Sequence, residues 1–370
     1  MNLQKLLALA LAIAASFSPC AAAEKDSPPS VLATSVGNSV VVADPVTGRA
    51  VEFDTGPVGW LYPGPGGVLF APDVINGRTT VINLRSLSVV DRLDGLTMPH
   101  FGENPDRYVA LAGEVIIVSY PERAVIATVP AEIANPWQVI IAPDDAAALI
   151  LERLPDGSTG VHMSTVNLIT RQIVYRRPLA GDIVHMALSP QLGILALADL
   201  ETNRIRFVEP ATLSPMADHP VDGRPLDVVF TFGGKTMATA LETADGAGVL
   251  ELAHFKSGKK GIELKKEHTI ALPAVPVRIA GSPRGDRIAV ALDNGTIAVV
   301  DVDKREIVAT AELPGTARDL RWCDLTREGP MIPEWTDGEP TELDFGPFAP
   351  KVRDEKSSGL EEPSWIKPPN

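Results

Sequence analysis

The sequence predicts an all-β fold: a seven-bladed β-propeller closed by pairing of its N-terminal and C-terminal strands in one blade. Three observations predict it. A strand–turn–strand unit recurs through most of the chain, specific turn chemistry joins short β-branched runs without sustained helical periodicity, and a strand missing at the start of the array is matched by a surplus one at its end. The 370 residues include 30 Gly and 33 Pro, too many for a helical protein of this size. With 45% hydrophobic residues the chain can bury a large core, and its net charge of -14 argues against electrostatic binding to nucleic acid or anionic lipid.

The chain opens Met1-Asn2-Leu3-Gln4-Lys5, runs apolar over residues 6–17, and reaches Ala21-Ala22-Ala23 before Glu24-Lys25-Asp26. One early cation, a short hydrophobic core and small residues before the break predict a signal peptide over 1–23, cleaved on export to leave a periplasmic or secreted protein. The apolar run is too short to span a bilayer, and nothing after residue 24 reads as a transmembrane helix. Phe17-Ser18-Pro19-Cys20 departs from a lipoprotein box, which argues against lipidation. Cleavage would leave Cys323 as the only thiol, so no intramolecular disulfide, cysteine-ligated zinc, iron–sulfur cluster or attached haem is expected, and no cofactor is assigned.

The repeat unit is a strand, a turn rich in Asp or Asn, and a second strand ending near Gly or Pro. One clear copy runs from Val40-Val41-Val42-Ala43-Asp44 through Thr47-Gly48 to Phe53-Asp54-Thr55-Gly56; another runs from Ile297-Ala298-Val299-Val300-Asp301 to Leu313-Pro314-Gly315. Further copies turn at Asn83, Ser119, Asn167, Glu209 and near Phe255. The steps average roughly 43 residues, the spacing of four strands per propeller blade, and seven copies predict seven blades. Each copy follows two more short strands joined by a turn, clearest at Ser189-Pro190 and Ser282-Pro283-Arg284-Gly285, where Pro presets φ and Gly admits positive φ. Degenerate versions stand at residues 104–107, 142–145 and 231–234.

These repeats resemble those of the seven-bladed propellers of bacterial exported proteins with YVTN-type repeats, over about residues 31–325. WD-repeat propellers fit less well, because regular Gly-His and Trp-Asp signatures are absent. The first copy starts directly with Val31-Leu32-Ala33-Thr34-Ser35 and lacks an inner strand. After the last copy, Ala317-Arg318-Asp319-Leu320-Arg321-Trp322 can take that inner position and shield the open edges. From residue 326 to 370 there are ten acidic and five basic residues and eight Pro, which predicts a largely extended or disordered tail. Its Trp335, Phe345, Phe348 and Trp365 would either strap it along the propeller wall or form a partner-binding peptide.

Aligning the seven inner strands on their turns puts Trp60, His100, Gln138, His185, Asp227, Arg278 and Asp319 at one equivalent position. Six of these are polar, whereas the next residues, Leu61, Phe101, Val139, Met186, Val228, Ile279 and Leu320, are all apolar. This predicts a polar collar at the channel mouth, where propeller loops converge, and makes the seven the candidate ligand-binding set. Arg278 could hold an anionic or carbonyl group, His100 and His185 could transfer protons or ligate a metal, and Asp227 or Asp319 could act as base. Alternatively these side chains cap strand ends, pair with one another or solvate the mouth. The two histidines belong to non-adjacent blades, which argues against a shared ion at bond lengths of roughly 2.0–2.2 Å; no metal ligand and no catalytic residue is assigned.

Two positions further on come Tyr62, Gly102, Ile140, Ala187, Val229, Ala280 and Arg321, mostly small or apolar and read as packing, with Arg321 pairing to Asp319 or Asp324. His162, His219, His254 and His268 fall on outer strands or loops. Lys256-Ser257-Gly258-Lys259-Lys260 with Lys265-Lys266 reads as a basic, solvated hairpin tip. No Gly-x-Ser-x-Gly, His-Glu-x-x-His or phosphate-loop motif is present. The expected function is therefore that of an exported, non-catalytic propeller binding a protein, peptide or small ligand at the channel mouth, with the tail as a further partner contact. The alternative is a periplasmic propeller enzyme, either a lactonase-like hydrolase or the propeller subunit of a quinone-dependent dehydrogenase.

Overall fold

The computed structural model describes residues 30–329 apart from 46–49, 112–113, 131–132, 134–135, 155–159, 190–191, 232–233, 259–260 and 328, with backbone alone at 256–258, 261–263 and 267. The signal-peptide segment, Thr47-Gly48, Pro190, the side chains of the Lys256–Lys260 tip and the tail beyond residue 329 lie outside the described residues.

Seven four-stranded antiparallel sheets form the blades. Blade one holds β1 (Ser30–Val36), β2 (Ser39–Ala43) and β3 (Ala50–Asp54), with β28 (Ala317–Asp324) as its inner strand. Blade two holds β4 (Tyr62–Gly64), β5 (Val68–Asp73), β6 (Arg78–Asn83) and β7 (Ser88–Asp94). Blade three holds β8 (His100–Phe101), β9 (Arg107–Leu111), β10 (Val115–Ser119) and β11 (Val125–Val129). Blade four holds β12 (Pro136–Ile141), β13 (Ala147–Arg153), β14 (Val161–Asn167) and β15 (Gln172–Leu179). Blade five holds β16 (Ile183–Ser189), β17 (Ile194–Asp199), β18 (Arg204–Val208) and β19 (Pro215–Pro220). Blade six holds β20 (Arg224–Phe230), β21 (Thr236–Glu242), β22 (Gly248–Gly258) and β23 (Gly261–Ala271). Blade seven holds β24 (Pro276–Gly281), β25 (Arg287–Leu292), β26 (Thr296–Asp301) and β27 (Glu306–Glu312).

The ring closes as the strand count requires. β28 pairs antiparallel with β1 from Ser30 opposite Asp324 to Val36 opposite Ala317, and Trp322 Nε1 donates to Ser30 Oγ at 2.9 Å. Each blade packs its faces against two neighbours, so the second strands are buried on both sides and lose the inside–outside alternation of a half-exposed sheet. All six residues of β5 and of β17 are buried. Fully buried alanines at 147, 148, 196, 198, 238, 240, 289 and 291 keep the second strands of blades four to seven thin, which lets adjacent blades approach.

Turn chemistry sets where the third strand folds back. Asn83 Oδ1 accepts from the N–H of Arg85 and Ser86, Asn167 Oδ1 from Ile169 and Thr170, and Asp301 Oδ1 from Lys304, each closing a tight turn after the third strand. Blade six departs from the expected turn near Phe255. Its equivalent position is His254, whose ring Nδ1 instead lies 3.3 Å from Thr236 Oγ1, and the hairpin runs on until Gly258 pairs with Gly261. An imidazole cannot fold the backbone as an Asx side chain does, so the strands extend past the edge of the blade.

Two glycines let the inter-blade loops pass close to buried carboxylates. Gly56 (φ +78°) and Gly181 (φ +105°) face Asp73 and Asp199, and a Cβ on either would stand 2.1 or 2.5 Å from the nearest carboxylate oxygen. Asp73 in turn accepts from the backbone N–H of Ile75 and Asn76, which ties the turn between β5 and β6.

Candidate functional site: a collar of interlocked side chains at the channel mouth

The loops that carry the chain from each outer strand to the next inner strand converge at one end of the ring, and the seven collar residues stand just inside it. Two lobes of the central channel hold all seven. One, of about 290 Å³, lies among blades two to four and includes Trp60, Tyr62, His100, Trp137, Gln138 and Arg321. The other, of about 310 Å³, lies among blades four to seven and the closing strand and includes Gln138, His185, Asp227, Arg278, Asp319 and Arg321. Gln138, Ile140 and Arg321 line both.

A backbone irregularity aims four of these side chains. The pairing of the first and second strands slips by one residue at Trp137, Val184, Leu226 and Val277, each directly before a collar residue: Gln138, His185, Asp227 and Arg278. A bulge inserts an unpaired residue and turns the following side chain to the other side of the strand. Three of the four bulges follow a proline, Pro136, Pro225 or Pro276, which cannot donate to the ladder and is tolerated at such a place.

Three collar residues hold the backbone of the next blade. Gln138 Oε1 accepts from Met186 N and its Nε2 donates to Met186 O, both at 2.8 Å, joining blade four to blade five. Asp227 Oδ2 accepts from Ile279 N at 2.9 Å, joining blade six to seven. Asp319 Oδ2 accepts from Leu61 N at 2.7 Å, joining the closing strand to blade two. In each case the donor follows the neighbouring blade's own collar residue, so the apolar residues after the collar offer their backbone to it while their side chains enter the core.

His185 and Arg321 are paired as well. His185 Nδ1 stands 2.7 Å from Asp227 Oδ1, which also accepts from Val228 N at 2.7 Å, and His185 Nε2 lies 3.3 Å from Gln138 Nε2. Arg321 Nε donates to Asp319 Oδ2 at 3.0 Å, so Arg321 belongs to the collar network although its position reads as packing in the sequence. The signal for it was its two-residue offset from Asp319, which places both on one face of β28. Of the partners expected for Arg321, Asp319 is the one it takes.

The electrostatics follow from burial and neighbours. Burial, reinforced by the Arg321 charge, pushes the His100 pKa down to about 3 and keeps its ring neutral against Tyr62, with ring centroids 5.1 Å apart. Burial pushes the Tyr62 phenol up to about 12. Desolvation opposes the Asp227 charge, but His185, Arg278 and the Ile279 N–H outweigh it and hold this carboxyl below its usual range. Burial likewise opposes the Arg321 charge, and Asp319 overrides it, leaving Arg321 above its usual value. Cys323, two residues beyond Arg321 on the same face of β28, is buried, and desolvation pushes its thiol up to about 12.

Trp60, the one apolar member of the aligned set, crosses the mouth. From blade two its indole meets the Trp137 ring of blade four edge-on at 5.3 Å, and the Arg278 guanidinium of blade seven lies 5.1 Å from the centre of the Trp60 ring. Trp137 is fixed in turn by Arg153 stacked 3.8 Å from its ring centre and by donation from Nε1 to Val184 O at 3.0 Å. Trp137 and Tyr62 are wall residues that alignment of the collar position alone passes over. Away from the channel, His219 Nε2 lies 3.3 Å from buried Glu251, so with His254 against Thr236 two of the four outer histidines are structural partners. Among the described residues no group of three or more His, Cys, Asp or Glu side chains is placed to hold a metal ion, and no helix is long and apolar enough to cross a membrane.

No protein-family model matches the sequence, and no curated protein matches it. Solved structures share its fold at low identity. A proposed 6-phosphogluconolactonase from Bacteroides fragilis is 12% identical with a TM-score of 0.60, covering 82% of this chain and 100% of that one. A chain of the Kuenenia stuttgartiensis hydrazine synthase is 12% identical with a TM-score of 0.57, covering 73% and 96%. A chain of the mitotic checkpoint complex is 14% identical with a TM-score of 0.56, covering 76% and 82%. At these identities the likeness is one of architecture.

Proposed function

We propose that this chain is an exported, non-catalytic propeller of the YVTN-repeat kind that binds a small ligand, peptide or protein at its collared channel mouth. The observation that carries the reading is the interlocking of the collar: its acids and amides hold neighbouring blades rather than standing ready for proton transfer. A rigid, preformed mouth lined by aromatic rings and a few fixed polar groups is the usual anatomy of a binding site. Export rests on the signal-peptide pattern of residues 1–23, and the Pro-rich segment from 326 onward supplies a second contact for a partner.

One pair supports an enzyme of the lactonase-like kind. Asp227 orients the His185 ring as a carboxylate orients a catalytic imidazole. Against it, His185 Nε2 already faces the Gln138 amide, which is held by both polar groups of Met186, so the ring nitrogen that would take a substrate proton is occupied.

The test compares binding with turnover in the purified mature chain. Thermal-shift and calorimetric screens of small metabolites and a displayed peptide library should yield ligands whose binding is lost in Trp60→Ala, with no lactone hydrolysis above background. Hydrolysis abolished by His185→Ala would replace this reading with the enzymatic one. Cell fractionation with N-terminal sequencing checks export and cleavage after Ala23.

A further inference from the structure

The geometry points to the ligand class: the larger lobe of the channel takes a small organic monocarboxylate, its carboxylate seated on the outer edge of Arg278. This rests on the binding reading above and names the chemistry of that same site.

Arg278 carries a buried donor that no hydrogen bond uses among the described residues. Its Nη1 donates back to Val277 O at 3.0 Å, and the guanidinium plane is set beside the Trp60 ring at 5.1 Å, so the head group is held at two points. Its Nε is buried in the lobe with no acceptor reaching it among the described residues. An N–H buried in this way is costly unless something accepts from it. Every nearby carboxylate is engaged elsewhere: Asp227 by Val228 N, His185 and Ile279 N, and Asp319 by Leu61 N and Arg321. The Nε–H and the adjacent Nη2 form a planar two-donor edge that matches the two oxygens of one carboxylate.

Charge selects a monoanion. The lobe sets Arg278 and Arg321 against Asp227 and Asp319, so one added negative charge meets the donor edge while a second faces two carboxylates. The lining also offers apolar surface, with Ala280 and Gly281 on the same strand as Arg278 and Phe230 and Trp322 from other strands, and a volume near 310 Å³ sits at the small end of ligand pockets. The body of the ligand is therefore small, with an apolar part to meet these residues.

Calorimetry and thermal shift on the mature chain test this with a panel of monocarboxylates (benzoate, hexanoate, cyclohexanecarboxylate), the matching neutral amides, and the dianions succinate and phenyl phosphate. At least one monocarboxylate should bind, its amide and the dianions at least about tenfold more weakly, and Arg278→Lys, which keeps the charge without the fork, should lose about tenfold or more. The Arg278 Nε–H resonance should move downfield on saturation. Equal binding of acid and amide, a preference for the dianions, unchanged affinity in Arg278→Lys, or no binding by any member of the panel overturns the assignment. Ligands of other chemistry found in the broader screen, and lost in Trp60→Ala, would leave the binding reading standing while the carboxylate assignment falls.

Discussion

Asp319 Oδ2 accepts the backbone N–H of Leu61 at 2.7 Å across 258 residues of sequence, and so ties the closing strand to the blade that follows it. The same oxygen holds Arg321 Nε, and the carboxylate is 2% exposed. Asp319→Ala leaves a buried backbone donor and the half-buried Arg321 guanidinium without their acceptor, and should cost about 1–3 kcal/mol in urea unfolding. Asp319→Asn keeps an oxygen in place and should cost less. Equal losses for the two variants would show that packing, not the acceptor, is what matters.

Gln138 makes the equivalent link with two bonds to Met186. Gln138→Leu, similar in size, should destabilise the fold by about 1–3 kcal/mol by leaving the Met186 N–H and C=O unpaired. Combined with Asp319→Ala, the losses should add, because the two clamps share no partner; a double-mutant cycle in denaturant measures this.

His100 gives the stability a pH dependence of defined sign. Its folded-state pKa of about 3 lies below the ordinary 6.5, so the unfolded chain takes a proton that the folded chain refuses. Its contribution to stability is therefore complete above about pH 6.5 and declines as the pH falls toward 3, with a slope of at most about 1.4 kcal/mol per pH unit. His100→Phe keeps a ring against Tyr62 and should flatten this part of the curve between pH 6 and 4, read as the difference from wild type in unfolding midpoints. Asp227 acts lower on the scale: with its folded pKa held below 3.8, its stabilisation is present above that value and is lost as the pH falls through the depressed one.

Gly56 cannot be replaced without moving a buried acid. Gly56→Ala puts a Cβ against Asp73 at a φ of +78° and should cost about 2–4 kcal/mol, whereas Gly37→Ala, at φ +57° with open space around it, should cost about 1–2 kcal/mol. Thermal unfolding of the two variants separates the contact from the backbone strain.

Cys323 reports on ring closure. It is buried on β28 opposite Val31, and its thiol is pushed up to about 12, so it should resist alkylation at pH 8 in the folded protein. In the chain lacking residues 1–23, where it is the sole cysteine, labelling should begin at the same denaturant concentration as the loss of circular dichroism. Labelling at lower denaturant would show that blade one opens before the ring unfolds.

Much of this architecture was legible because each blade repeats the same local chemistry. Asn83, Asn167 and Asp301 announce their turns by side-chain bonds made within three residues, and the missing first inner strand and the surplus last one are a matter of counting. The turn near Phe255 misled because His254 stands where an Asx residue would close the hairpin. The collar alignment picked out seven residues that divide between two cavities sharing Gln138, Ile140 and Arg321, since strand order and turn position fix where an inner strand begins. What those residues do there was not legible, because the bulges at Trp137, Val184, Leu226 and Val277 aim them, and the groups they meet belong to other blades.

The amino-acid sequence by itself determined the number of blades and the strand that closes the ring, because those depend on hydrophobic patterning and turn residues acting over a few neighbours. Only the tertiary structure decided that Gln138, Asp227 and Asp319 hold the next blade, that Trp60 reaches across to Trp137 and Arg278, and that the Arg278 Nε is left with a donor to share. Those facts depend on distances of a few ångströms between residues tens to hundreds of positions apart, which arise only when the circle is complete.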